Sequence, residues 1–176
     1  MPRGDIEMNG NMIKGIELVK LALRVALRKI EDIDNFKVFE FKSSIRRYKR
    51  EWIYLNLAEA LNILWSKKTS VEDFKEIEAA FDYMVKECFI EFKKDDFYRL
   101  RYKEFKEHLV SYNQFYKNVE LRKEQIGVRV AQLSMELADI DLYANGSKEF
   151  YFDFIIENLV ANTVELEYYI QNKVYI

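Results

Sequence analysis

Hydrophobic residues recur every three or four positions along almost the whole chain, the period of amphipathic α-helices. From Met12 to Ile30 the set Ile16, Val19, Leu23, Ala26 and Ile30 keeps that spacing, and Leu18, Leu21, Val25 and Leu27 widen the stripe. So broad a face predicts a helix wedged between at least two neighbours, or one that also meets another subunit. Asp32, Asp34 and Asn35 mark a break, and the following FKVFEF, residues 36–41, is too short and mixed in period to assign. A second helix is predicted to about Ser66. Ile45, Tyr48, Trp52 and Leu55 together with Ile53, Leu57, Leu61 and Leu64 cover nearly half its circumference, which places it centrally.

Thr69 followed by Glu72 reads as a capping box opening a third helix, with Phe74, Ile77, Phe81, Met84, Val85 and Cys88 on one side. That helix is expected to end near Lys93 and Lys94, whose charges suit a C-terminus, with Asp95 or Asp96 capping the next. No strong breaker interrupts residues 97–143. A single helix there would be roughly 70 Å long, too long for a compact domain of this size, so a turn is predicted between Asn113 and Gly127. Asn145-Gly146 is a stop signal, Ser147 a candidate cap, and residues 148–174 a final helix rich in Phe, Ile, Tyr and Val.

These elements predict an all-α fold: an antiparallel bundle of five or six amphipathic helices, a single domain over residues 12–176 behind a flexible tail at 1–11. At 176 residues, 49% hydrophobic and 33% charged, the chain has enough apolar surface for a packed core. Only five Gly and one Pro, the latter at position 2, stand against helix formation. The lone Cys88 excludes an intramolecular disulfide and, on an apolar face, is expected to be inert.

No run of 18 to 20 uncharged apolar residues occurs, and MPRGDIEMNGNM lacks the apolar core of a secretory signal, so a cytoplasmic protein without a membrane contact is expected. Abundant Glu, Lys, Ile, Tyr and Phe with scarce Gln lean toward a thermophilic source. A net charge of −2 provides no global field for nucleic acid, so any such contact needs a local patch.

One candidate patch is the stretch Lys42 to Arg50. Lys42, Arg46, Lys49 and Arg50 share a helical face, with Arg47 to one side. Such a stripe suits phosphates, and an exposed Tyr48, Trp52 or Tyr54 would supply stacking surfaces for bases of RNA or DNA. The opposing reading puts the aromatics in the core and pairs the basic residues with Glu51, Glu59 or an acidic neighbouring helix. Arg99, Arg101, Lys103 and Lys106 would extend the basic surface if the second and fourth helices are neighbours.

The only histidine, His108, stands seven positions after Arg101, on the same side of a helix. This pair resembles the Arg-x4–6-His motif of HEPN-type ribonucleases, an all-helical family. The resemblance implies metal-independent RNA cleavage across a dimer, with His108 moving a proton and Arg101 on the scissile phosphate. LRYKEFKEHL departs from the family in lacking a polar residue beside the Arg.

Glu104-x-x-Glu107 and Glu136-x-x-Asp139 resemble the ExxE…ExxD pattern of the all-α nucleotide pyrophosphohydrolases. That likeness implies Mg²⁺ held by four carboxylates on two antiparallel helices, bridging a triphosphate and activating water. The 28 intervening residues are long for that family, and Asn145-Gly146 comes early after the second motif. Solvated helix faces with Lys103 and Lys106 as partners are the competing account.

One His and one Cys exclude a Cys/His zinc site and a paired Glu-x-x-His di-iron site, and the scattered glycines form no phosphate loop. The expected function is therefore a non-catalytic helical interaction protein or accessory subunit without a cofactor. It is expected to bind protein or self-associate, and to touch RNA or DNA through Lys42, Arg46, Arg47, Lys49 and Arg50 if at all.

Overall fold

The computed structural model describes residues 10–35, 42–67, 70–92, 100–116, 123–138 and 147–174. They form six α-helices: α1 (Gly10–Arg28), α2 (Lys42–Lys67), α3 (Val71–Phe92), α4 (Tyr102–Tyr116), α5 (Lys123–Leu137) and α6 (Ser147–Tyr169). A 3₁₀ turn at Ile30–Asn35 follows α1, and α6 runs on into a π-helical turn at Ile170–Val174. The all-α bundle expected from the hydrophobic period is the fold, and no described residue lies in a strand. Among the described residues, no helix is long and apolar enough to cross a membrane.

The predicted interruption of residues 97–143 falls between Tyr116 and Lys123, inside the expected window. The signals at 36–41, 93–96 and 145–146 lie outside the described residues. So does Thr69. The cap of α3 is Ser70: its hydroxyl accepts from the Asp73 backbone N–H at 3.1 Å and donates to Asp73 Oδ2 at 2.7 Å. TSVED contains two overlapping boxes of the same form, and the one starting a residue later caps the helix.

A contact from α1 reinforces that choice. Asn11 Nδ2 donates to Asp73 Oδ1 at 3.0 Å and to Glu76 Oε2 at 2.9 Å, joining the first turns of α1 and α3. The two helices run parallel and very close together. A Cβ on Gly15 would sit 2.5 Å from the Ile77 carbonyl oxygen, 2.7 Å from Ala80 Cβ and 2.8 Å from the Phe81 nitrogen. The missing side chain lets one backbone lie against the other.

As its wide apolar pattern predicts, α2 is the central helix. Almost every residue from Tyr48 to Leu64 is buried. The Trp52 indole N–H donates to the Ala26 carbonyl of α1 at 3.0 Å, and its ring meets Phe154 of α6 edge-on at 4.9 Å. Pairs Tyr48–Tyr151, Trp52–Phe154, Asn56–Asn162 and Glu59–Thr163 advance together, so α2 and α6 are parallel. Same-parity helices of an up-and-down chain are parallel in this way. Each large side chain fully buried along this seam contributes about 1.5–3 kcal/mol, and one contiguous core draws on all six helices.

Candidate functional site

A helix buried on every side has no solvated face for its polar residues, so those on α2 must find partners inside the protein. Lys49, Glu51, Asn56 and Glu59 are all buried. Asn56 Nδ2 donates to the Trp52 carbonyl at 2.8 Å, and its Oδ1 accepts from Asn162 at 2.7 Å. Glu51 is 1% exposed and forms the centre of the most extended polar network. Its Oε2 lies 2.8 Å from His108 Nδ1, and its Oε1 accepts from the Tyr112 hydroxyl at 2.6 Å. Farther along, Tyr151 approaches Ser134 Oγ at 3.2 Å and the Tyr48 carbonyl at 3.3 Å, extending buried polar contacts among α2, α5 and α6.

Electrostatics at this cluster follow from burial and proximity. Burial disfavours the charged imidazole of His108, but the hydrogen bond and negative charge of Glu51 outweigh it, leaving the His108 pKa above its ordinary value. Burial raises the Glu51 pKa, against the opposing pull of His108 and Tyr112. The Tyr112 hydroxyl is driven well above the ordinary range, first by burial and then by the charge of Glu51. The result is a carboxylate–imidazole pair in which Glu51 fixes the ring through Nδ1.

One turn away, Tyr54 organises the start of α4. Its hydroxyl accepts from the Arg101 N–H at 2.8 Å, and its proton has the Arg101 carbonyl at 3.1 Å and Glu104 Oε2 at 3.2 Å as acceptors. Arg101 is the N-cap residue, its carbonyl taking the first helical bond from Phe105 at 2.9 Å. Arg50 Nη2 pairs with Glu104 Oε1 at 3.1 Å. The Tyr54 ring packs on His108 edge-to-face at 5.6 Å.

These contacts locate the residues singled out in the sequence. Lys49 is buried and Arg50 is committed to Glu104, so two members of the face expected from Lys42, Arg46, Lys49 and Arg50 are turned into the protein. The physical reason is that α2 has almost no outward face beyond its first turns. Arg47 is exposed and Arg46 partly so, while the Lys42 side chain lies outside the described residues. Tyr48, Trp52 and Tyr54 are each at most 2% exposed, which places them in the core instead of on a stacking platform.

Arg101 is exposed at the tip of α4, whereas the His108 side chain, 13% exposed, turns inward to Glu51. Of the four carboxylates, Glu104 is bound to Arg50 and Tyr54, Glu107 faces Lys103 at 3.9 Å, Glu136 is exposed, and Asp139 lies outside the described residues. No three His, Cys, Asp or Glu side chains among the described residues converge as a metal site. The basic and acidic sets that suggested separate activities thus meet in the Arg50–Glu104 pair. Tyr112, Ser134 and Tyr151 were not singled out in the sequence, and Glu51 was named there only as a partner for the basic residues of the same helix. A carboxylate between Arg50 and Trp52, within a helix apolar on most sides, was the available signal for Glu51.

The outer surface carries a different feature. Val160, Val164 and Tyr168 of α6 are 65%, 61% and 70% exposed and stand four residues apart, on one face. Ala161 is exposed beside them. Asp153 and Glu157 are exposed nearby, and α6 has no Lys or Arg between Lys148 and Lys173.

Comparison with protein-family models, curated proteins and solved structures finds no match to this chain.

Proposed function

We propose that this protein is a helical interaction subunit that docks a partner helix on the outward face of α6. The observation that carries the reading is the Val160–Val164–Tyr168 stripe. Single exposed valines are ordinary on a protein surface, but three large apolar side chains in register over about 12 Å match the i, i+4, i+8 anchors of helix-to-helix docking. The stripe is bordered by Asp153 and Glu157, which favours a partner helix whose apolar face is flanked by Lys or Arg. A second copy of the chain would set these acidic borders against each other.

The buried state of Tyr48, Trp52 and Tyr54 and the Arg50–Glu104 pair weigh against a primary role in nucleic-acid binding through α2. The commitment of His108 to Glu51 weighs against its use as a ribonuclease group.

A labelled amphipathic peptide of leucine and lysine, titrated by fluorescence anisotropy at low salt, tests the reading. Val164→Lys should weaken binding about tenfold or more, while Val110→Lys, on the equally exposed Val110 of α4, should leave it unchanged. Equal losses from both substitutions would reduce the attraction to general electrostatics and overturn the proposal. Dimerisation in sedimentation runs that Val164→Lys abolishes would overturn it in favour of a second copy.

A further inference from the structure

A partly open pocket of about 140 Å³ lies where α2, α3 and α4 meet, lined by Leu61, Asn62, Trp65, Phe74, Glu78, Asn113 and Tyr116. No residue of α6 contributes, so it is separate from the docking face. Its volume is close to that of cavities which accept a benzene-sized guest of about six or seven heavy atoms. Trp65 and Phe74 stand nearly perpendicular, at 79° with centroids 5.0 Å apart, as two walls of a corner. Tyr116 adds a third aromatic ring, Glu78 an exposed carboxylate, and the two Asn side chains neutral hydrogen-bonding groups. Among the described residues, no Lys or Arg lines it.

Behind the pocket, Tyr116 carries its hydroxyl into the core beside Glu59. The Tyr116 hydroxyl neighbours the Glu59 carboxylate, yet neither it nor Glu59 Oε2 has a hydrogen bond of ordinary geometry, although both atoms are buried. Only Glu59 Oε1 is satisfied, by Thr163 Oγ1 at 2.9 Å. Buried polar atoms without partners are uncommon in folded proteins, and one of these two belongs to the wall residue Tyr116 itself.

Three aromatic rings with one carboxylate and no positive charge form a combination that selects organic cations. The rings attract positive charge through their quadrupoles, the carboxylate attracts it directly, and the apolar walls accept the alkyl groups. A carboxylate ligand would meet Glu78 and find no cation among the described lining residues to compensate. A neutral apolar ligand would gain from the walls alone. We infer that this pocket binds a small organic cation, an alkylammonium of about seven heavy atoms, with Trp65, Phe74 and Tyr116 around the cationic head and Glu78 as its counter-charge.

Choline and its uncharged carbon isostere 3,3-dimethylbutan-1-ol provide a matched pair of probes, with ligand-observed NMR as the readout. The pocket should prefer choline by about tenfold, because the two differ in charge and scarcely in shape. Glu78→Gln, at an exposed position where folding is not at stake, should weaken choline several-fold and leave the isostere unaffected. Trp65→Ala, checked for an unchanged helical circular dichroism spectrum, should abolish choline binding. Equal affinity for both probes, indifference of choline to Glu78→Gln, or no choline binding up to about 0.1 M would overturn the assignment.

Discussion

Replacement of His108 by alanine tests whether the Glu51 network supports the fold. Glu51 is 1% exposed, and in the variant its carboxylate keeps only the neutral Tyr112 hydroxyl as a hydrogen-bond donor. Removing one partner of a fully buried ion pair costs about 3–5 kcal/mol. The partly exposed imidazole and the surviving Tyr112 bond place the loss near the lower end, about 3 kcal/mol at neutral pH. The loss should depend on pH in a defined direction. The His108 pKa is raised in the folded protein, so its stabilisation is complete below the ordinary value of 6.5 and declines as pH rises through the folded value. Glu51 is raised as well, which adds to proton retention by the folded state above 4.5 and makes stability fall further with rising pH. Above the His108 transition, the gap between wild type and variant should shrink to that of a neutral hydrogen bond, about 1 kcal/mol. Urea denaturation between about pH 6 and pH 9 measures the gap directly. A gap that does not change over that range, or one below about 0.5 kcal/mol throughout, would refute the reasoning.

Gly15→Ala should destabilise the protein by about 1–3 kcal/mol despite the higher helix propensity of alanine, because the new methyl meets the backbone of Ile77 and Phe81, which cannot rotate away. Gly10→Ala, with nothing within 4 Å of the added Cβ, is the control in the same thermal unfolding series, and equal behaviour of the two would contradict the close α1–α3 approach. Glu59→Gln should stabilise the protein by about 1 kcal/mol near neutral pH, since burial raises the Glu59 pKa and the folded state pays for its charge once pH rises through that value. The gain should vanish below pH 4.5, where both states hold the proton; denaturation midpoints showing a loss at neutral pH would contradict it.

The helices could be read from sequence because their period is local. Each stripe of Ile, Leu, Val and Phe lies within a few turns, and the breadth of the α2 pattern correctly placed that helix at the centre. Caps were less determinate. Thr69 and Ser70 each begin an acceptable box, and only the fold, which brings Asn11 onto Asp73 and Glu76, adds a reason to prefer the second.

What became of the charged residues was decided by tertiary structure alone. Arg50 and Glu104 are 54 positions apart, and Glu51 and His108 are 57 apart, so no local pattern relates them. Sequence alone determined that α2 would be buried and that polar residues stood within it. Packing α4 across α2 decided that Arg50 would neutralise a carboxylate and that the only histidine would turn inward, because a charge removed from water must take its partner from whichever helix covers it.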